Sequence, residues 1–323
     1  MGDGLGFTVG ARCEELLTGE CAIGRGEAVS VFLLTVANVF AYYFPRMLPA
    51  QQQSIEEGSI EEYSHAFTPA DNVRVTEPIL ICIAVVCPLL GILLLKLART
   101  LPSCDLPRSL IAFLGGSACN TLLAEGLKVV VGRPRPDFFG RCYGNHMLDN
   151  MRGNVSTVVR WRDHRNGHPA CDNLDGDVID EGYKSFPSGH AALAFFGLSQ
   201  LSWNMVRSLH YAATGRQWRT CGLSAASLPL LVACWIAATR QQDNWHFRSD
   251  ILVGSAMGLA LSVASFSSQF GVLWWSMKSA RIRGLYDSQE GERRAQNLLD
   301  VEDMQEWQLT PPRAPPTSSQ ELS

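Results

Sequence analysis

The stretch Leu110–Val131, LIAFLGGSACNTLLAEGLKVVV, is followed at once by Gly132-Arg133-Pro134-Arg135-Pro136. The stretch is long and apolar enough to cross a bilayer as a helix, which takes about 20 residues. Two prolines so close together force the chain to leave the helix in an extended conformation. The pattern therefore predicts a membrane helix whose end carries cations.

Five further runs of similar composition occur along the chain. They are Ala28–Phe44, Pro78–Lys96, Gly189–Val206, Gly222–Thr239 and Ile251–Met277. Because a bilayer accepts only helices or closed barrels, we predict an all-α polytopic membrane protein, a six-transmembrane-helix bundle over residues 28–278. Residues 1–27 are predicted to be a cytosolic N-terminal segment, and residues 279–323 a polar, disordered cytosolic tail.

Charge is distributed unevenly between the connecting segments. Basic residues follow the second, fourth and sixth runs: Lys96, Arg99, Arg108, Arg207, Arg216, Arg219, Lys278, Arg281 and Arg283. The positive-inside rule places these segments and both termini in the cytosol. The net charge of −4, without a basic patch, gives no reason to expect a nucleic-acid partner.

The first motif with useful chemistry is Lys128-x6-Arg135-Pro136, at the exit of the third run. Both cations could surround phosphate oxygens, Arg through its planar fork and Lys as a point charge. The alternative is a positive flank that reaches the lipid headgroups, which applies equally to Arg133 and Arg141. A position away from the cytosolic basic segments favours a functional role for Lys128 and Arg135.

The second motif, Pro187-Ser188-Gly189-His190, lies where the fourth run begins. Backbone N–H groups at a helix start, with the Ser188 hydroxyl, suit an anion. An ordinary helix N-cap is the alternative for Ser188. His190 is harder to dismiss, because an ionisable group at the start of a membrane helix is costly to bury.

The third motif is Arg240-x5-His246-x3-Asp250, between the fifth and sixth runs. If this segment is helical, His246 and Asp250 share one face. A carboxylate paired with one imidazole nitrogen would leave the other free to attack phosphorus. The alternative is a loop ion pair that involves Arg240, Arg248 or Asp243.

All three motifs fall on one side of the membrane, since exits of odd-numbered runs and entries of even-numbered runs share a face. Their sequences resemble the three-part signature of the type 2 phosphatidic acid phosphatase (PAP2) superfamily. Gly132–Phe139 and Lys184–His190 are most similar to integral-membrane lipid phosphate phosphatases. The resemblance covers roughly residues 28–278 and implies a helical bundle of the PAP2 and haloperoxidase-like type. Thr239 stands where the family usually has Ser before the Arg, which keeps the hydroxyl.

The resemblance also implies roles. His246 would be the nucleophile, Asp250 would orient it, and His190 would protonate the leaving alcohol. The residues expected to bind phosphate are Lys128, Arg135, Ser188, Gly189 and Arg240. No cofactor and no metal ion are expected, in line with the family's metal independence.

The implied substrates are phosphorylated lipids such as phosphatidate, lysophosphatidate, sphingosine 1-phosphate or ceramide 1-phosphate. A polyprenyl pyrophosphate phosphatase, a headgroup transferase and a non-catalytic membrane signalling relative are the alternatives. The protein is expected in the plasma membrane or an endomembrane, with its active site on the extracellular or luminal side. The sequence leaves open whether the protein forms a homo-oligomer.

The connection 132–187 would then lie outside the cytosol. It contains Asn154-Val155-Ser156, an N-glycosylation sequon. Cys142 and Cys171 share this connection, and a disulfide between them is left open. Within the runs, Asn120, Glu125, Gln200 and Asn204 are polar; they would line a lipid entrance or link helices, and Glu125 could orient Lys128.

Overall fold

A computed structural model of the chain describes residues 25–55, 62–98, 100–101, 105–145, 171–173, 175–212 and 216–270. Its helices are α1 Arg25–Tyr43, α2 Glu77–Leu97, α3 Asp105–Val131, α4 Phe138–Tyr143, α5 Gly176–Gly182, α6 Gly189–Ala212, α7 Arg216–Gln242 and α8 Arg248–Phe270. No strand occurs in these ranges. The all-α prediction is confirmed.

Helix α6 is the axis of the bundle. It packs against α2, α3, α7 and α8, while α1 packs on the outside of α3. The backbones of α6 and α8 approach closely because Gly258 lacks a side chain. A Cβ at Gly258 would lie 2.2 Å from the carbonyl oxygen of Ala192, so a larger residue there would force the two helices apart.

Among the residues that the structure describes, five helices are long and apolar enough to cross a membrane. They are Gly26–Met47, which includes α1, then Glu77–Leu97, Asp105–Val131, Cys221–Gln242 and Arg248–Phe270. Their outer surfaces expose side chains such as Phe32, Leu231 and Leu252, as expected of surfaces that contact lipid. The chain is therefore an integral membrane protein.

The fourth predicted run, now α6, is not among those five helices. It is 24 residues long, enough to span about 36 Å, but it carries Gln200 and Asn204, both fully buried. Gln200 Nε2 donates to Ser265 Oγ of α8 at 2.6 Å, and Asn204 Oδ1 accepts from Ser109 Oγ of α3 at 2.6 Å. These polar residues link helices, and the count of six spans stays a prediction.

The three motifs occupy one end of the bundle. Helix α3 ends there just after Lys128, α6 begins there at Gly189, and the α7–α8 connection holds the third motif. Gly132 turns the chain out of α3 with φ of 61°, and a Cβ there would meet the Gln51 carbonyl oxygen at 1.3 Å. Glycine is thus required where the first motif leaves the membrane.

Candidate active site

Lys128 lies in the last turn of α3 and is buried. Its ammonium donates to Glu125 Oε1 at 2.7 Å, one turn earlier on the same helix. It also lies against the start of α6, since a Cβ at Gly189 would be 3.0 Å from Lys128 Nζ. Gly189 therefore provides the space in which this cation faces the second motif.

Arg135 makes three side-chain hydrogen bonds, and only 1% of its surface is exposed. Nε donates to the carbonyl oxygen of Glu181 at 2.9 Å, and Nη2 pairs with the Glu181 carboxylate. Nη1 donates to the Trp245 carbonyl oxygen at 3.3 Å, and the guanidinium stacks 4.6 Å from the Trp245 ring. Arg135 thus joins the first motif to the residue that precedes His246.

Arg240, in the last turn of α7, is fully buried. Its Nη2 donates to Asp243 Oδ2 at 3.0 Å, and Nε donates to Thr239 Oγ1 at 3.2 Å. The Asp243 carboxylate also pairs with Arg74 from the first connecting segment. The Nη1 atom of Arg240 is buried without a hydrogen-bond partner, which leaves a charged donor for an anion.

The tautomer of His246 follows from its one hydrogen bond, Nδ1 to the Ser185 carbonyl oxygen at 2.6 Å. A carbonyl only accepts, so Nδ1 carries the proton and Nε2 keeps its lone pair. Burial lowers the pKa of His246 well below its ordinary value, and the positive charges of Arg135 and Lys128 lower it further. The imidazole is therefore neutral near pH 7, with Nε2 able to act as a nucleophile.

Asp250 does not contact His246 in the way that the sequence suggested. Its Oδ2 accepts from Ser185 Oγ at 2.6 Å and from the Phe247 backbone N–H at 3.1 Å. Helix α8 begins only at Arg248, so His246 lies in the preceding turn and helical spacing does not apply to it. Ser185 connects the two, because its carbonyl holds His246 while its hydroxyl donates to Asp250.

Asp250 is also the centre of a second set of contacts. Its Oδ1 accepts from Arg133 Nη1 at 2.6 Å, and its carbonyl oxygen accepts from the Ser188 N–H at 3.0 Å. Arg133, which the sequence left as a simple membrane flank, therefore neutralises this buried carboxylate. The backbone carbonyl of Asp250 holds the second motif against the start of α8.

The second motif begins α6 as expected. Ser188 caps the helix, with its hydroxyl 3.5 Å from the Ala191 N–H and its carbonyl accepting from Ala192. The backbone of Val75 hydrogen-bonds the buried imidazole of His190, whose Nε2 has no partner. A buried ring nitrogen without a partner is costly, so Nε2 is free for a ligand.

Each cation of the site has its own carboxylate. The pairs are Lys128–Glu125, Arg133–Asp250, Arg135–Glu181 and Arg240–Asp243. Electrostatic influence also connects the motifs, since Lys128 and Arg135 act on both His190 and His246. The predicted catalytic and phosphate-binding residues thus converge, and among them His190 Nε2 and Arg240 Nη1 are buried nitrogens without any hydrogen-bond partner.

Sequence reasoning missed Ser185 and Glu181 and treated Asp243 only as a member of an alternative ion pair. That ion pair forms, together with the site rather than instead of it. Its i,i+3 spacing from Arg240 was a usable signal. For Glu181 there was none, because its contact with Arg135 joins helix α5 to the irregular segment after α3, far away in the sequence.

A disulfide joins Cys142 to Cys171, and thus α4 to the segment before α5. This settles the pairing that the sequence left open. Asn154 and the sequon lie outside the described residues. Within the described part of the chain, no group of three or more His, Cys, Asp or Glu could hold a metal ion.

Comparison with known proteins agrees with this geometry. The family model of the PAP2 superfamily matches residues 109–274, just over half of the chain. That range includes all three motifs and helices α6 to α8. The chain therefore belongs to the PAP2 superfamily, which confirms the resemblance.

Several curated relatives carry informative names. "Lipid phosphate phosphatase 2" of Arabidopsis thaliana is 34% identical over 164 residues, 50% of this chain and 50% of the relative. "Lipid phosphate phosphatase 1" of the same plant is 29% identical over 247 residues, 71% and 70% of the two chains. "Probable diacylglycerol pyrophosphate phosphatase 1" of Schizosaccharomyces pombe is 30% identical over 166 residues, 50% and 54%. The chain thus spans about half the length of two of these relatives, and no solved structure matches it.

Proposed function

We propose that this protein is a metal-independent lipid phosphate phosphatase that works through a phosphohistidine. The observation that carries the proposal is the state of His246, a neutral imidazole whose Nδ1 is held by Ser185 and whose Nε2 is free. The names of the relatives support the same activity. The buried charged donor Arg240 Nη1, which has no partner, supports a site that awaits an anion, and the unpartnered Nε2 of His190 is available to the ligand.

In the first step, His246 Nε2 attacks the phosphorus and the bond from phosphorus to the lipid oxygen breaks. Lys128, Arg135 and Arg240, with the backbone at Ser188 and Gly189, hold the phosphoryl oxygens and stabilise charge that develops in the transition state. His190, protonated when the anionic substrate is bound, gives its proton to the leaving alkoxide. The lipid alcohol then departs.

In the second step, water attacks the phosphohistidine. His190 accepts a proton from that water, the P–N bond breaks, and inorganic phosphate forms while His246 regains its neutral state. Lys128, Arg135 and Arg240 supply the positive charge that a metal ion would otherwise bring. We therefore expect turnover to persist in EDTA.

The substrate is proposed to be a lipid phosphomonoester, such as phosphatidate, lysophosphatidate, sphingosine 1-phosphate or ceramide 1-phosphate. The site lies at one end of helices whose outer surfaces are apolar, where a lipid can present its headgroup. A pyrophosphorylated lipid is the second candidate. It is favoured by the name of the fission-yeast relative.

We also propose that the active site faces the lumen or the cell exterior and that both termini are cytosolic. The disulfide beside the site supports this side, since disulfides persist in oxidising compartments. The basic residues Lys96 and Arg108 support it too, because they lie at the other end of α2 and α3, where the cytosol is expected.

The test is phosphate release by the purified chain across these lipids, combined with trapping of labelled phosphate on the protein. His246→Ala should abolish both turnover and the phosphoenzyme. His190→Ala should slow the lipid ester by about 10²–10⁴-fold, but should partly spare an activated ester, whose alcohol leaves without a proton. His210→Ala, in the last turn of α6, is the matched control and should retain activity.

Two outcomes would contradict the assignment. If His246→Ala still traps phosphate on a histidine, His246 is not the nucleophile. If activated esters rescue His246→Ala rather than His190→Ala, the two roles are exchanged. A wild-type protein that releases phosphate from none of these lipids would instead favour a non-catalytic membrane relative.

A further inference from the structure

A cavity of about 390 Å³ opens beside His246, outside the site just described. We call it the outer cavity. Its polar lining includes His65, Arg133, Gln241, Asn244, His246 and Arg248. None of Lys128, Arg135, His190 and Arg240 lines it. The outer cavity is therefore lined by the proposed nucleophile, His246, but by none of the residues expected to bind the phosphoryl group under attack.

The lining of the outer cavity is positively charged. No Asp or Glu is among its lining residues in the described part of the chain. The charge of Arg133 is offset by the carboxylate of Asp250, to which Arg133 Nη1 donates a hydrogen bond of 2.6 Å. Arg248 is different, since it is exposed and forms no ion pair with any described residue. The net charge of the lining thus comes from Arg248.

The position of Arg248 strengthens this charge. It is the first residue of α8, where the partial positive charge of the helix terminus adds to the guanidinium. Neutral donors from Asn244 and Gln241 and the imidazole of His65 surround the same space. A planar guanidinium among neutral donors is suited to a tetrahedral oxyanion, which it can bind through two parallel hydrogen bonds.

We propose that the outer cavity is a second oxyanion site, in which Arg248 binds a phosphate group next to the phosphoryl group under attack. This inference builds on the proposed phosphatase function. The ligand chemistry is one phosphate group, and it has two sources. One is inorganic phosphate on its way out after turnover, and the other is the second phosphate of a pyrophosphorylated lipid.

The first experiment is a calorimetric titration of the full chain with inorganic phosphate, in a detergent that contains no phosphate. The wild-type protein should bind two phosphates, one at the catalytic cations and one in the outer cavity. Arg248→Gln should bind one, and Arg248→Lys should keep a weakened second site. Because Arg248 is exposed and forms no ion pair with the residues that the structure describes, neither substitution removes a described contact that the fold needs.

Kinetics on the same variants separate the two sources. If the ligand is the product, Arg248→Gln should raise the inhibition constant of inorganic phosphate by about 5- to 10-fold, the value of one charged hydrogen bond at a partly exposed site. If it is a second lipid phosphate, kcat/KM for diacylglycerol pyrophosphate should fall by that factor relative to phosphatidate. Arg108→Gln, the same change at the opposite end of α3, should alter neither quantity.

A single bound phosphate in both the wild-type protein and Arg248→Gln would overturn the proposal. So would identical behaviour of Arg248→Gln and Arg108→Gln in both kinetic comparisons. The titration does not depend on turnover. If no lipid were hydrolysed, the phosphatase function would fail while the number of bound phosphates would still decide the second site.

Discussion

At the scale of single residues, the contact between Ser185 and Asp250 changes how the third motif works. Asp250 holds His246 through Ser185 and not by direct pairing. Loss of the hydroxyl or of the carboxylate charge should therefore loosen the same connection. Both changes act on the orientation of the proposed nucleophile, while the cations proposed to bind phosphate keep their own partners.

We predict that Ser185→Ala and Asp250→Asn each lower kcat by about 10- to 100-fold, the usual loss when a reacting group is misplaced by about 1 Å. The double variant should lose little more than Asp250→Asn alone, because the two residues share one connection. Ser202→Ala is the control, since its hydroxyl bonds only within α6. Additive losses would mean that Asp250 acts on His246 by another route.

The protonation state of His246 gives a second prediction at this scale. Its lowered pKa means that the neutral form persists as the pH falls and is lost only well below the ordinary value of 6.5. NMR of labelled histidines in the ligand-free protein should show His246 as the neutral Nδ1–H tautomer at pH 6.5, with His246→Ala identifying the signal. Lys128→Met should raise the pKa, because it removes a nearby positive charge.

A His246 signal that titrates at or above pH 6.5 would contradict the burial and charge on which the mechanism depends. An Nε2–H tautomer would contradict the hydrogen bond to Ser185. Either result concerns the ligand-free site alone. A bound phosphate, being negative, would raise this pKa and is therefore left out of the measurement.

The residues that the sequence predicted are those of short motifs with a chemical reason for their spacing. The sequence could also predict their convergence, since all three motifs lie at ends of apolar runs that share one side. It could not predict the partners of those residues. Glu181 of α5 contacts Arg135, and Ser185 contacts His246, across long separations in sequence, where neither hydropathy nor periodicity constrains which side chains meet.

At the scale of helices, the apolar runs predicted every long helix of the described residues, but α6 is not among the five candidate spans. Its interior position lets it carry the buried polar residues Gln200 and Asn204, so it is less apolar than a candidate span. How many polar residues a membrane helix can carry depends on whether lipid or other helices surround it. A single sequence does not reveal those neighbours. The sequence also extended helical spacing to His246, although α8 starts two residues later.

The close contact of α6 with α8 leads to a prediction about glycine. Gly258→Ala should destabilise the protein by about 1–3 kcal/mol, the usual cost of overpacking, because the new Cβ would lie 2.2 Å from the Ala192 carbonyl oxygen. Gly126→Ala is the matched control, since no other atom lies within 4 Å of its added Cβ. Thermal unfolding in detergent measures both.

Activity should fall together with stability in Gly258→Ala, since α6 begins with His190 and α8 follows His246. Gly126→Ala should keep its activity. Equal unfolding temperatures for the two variants would show that the α6–α8 interface can widen at no cost. In that event the precise spacing of the two histidines does not depend on this glycine.

At the scale of the whole molecule, the side of the membrane on which the site lies is open to a direct test. We predict that a cysteine introduced by Asn154→Cys reacts with an impermeant maleimide in intact cells. Lys96→Cys, at the other end of α2, should react only after permeabilisation. The parent chain sets the background from its own cysteines. The reverse pattern would place the active site in the cytosol and change the lipid pool available to it.

The pairing of each cation with its own acid determines how substitutions in this site must be interpreted. Removal of Arg240 alone would leave the buried Asp243 carboxylate with Arg74 as its remaining cation, so stability lost from a broken buried ion pair would add to any loss of catalysis. An alanine scan would then attribute a loss of folded protein to a loss of catalytic activity. Paired replacement, such as Lys128→Met with Glu125→Gln, removes both charges at once. Double-mutant cycles built on these pairs would separate the contribution of each pair to stability from its contribution to catalysis.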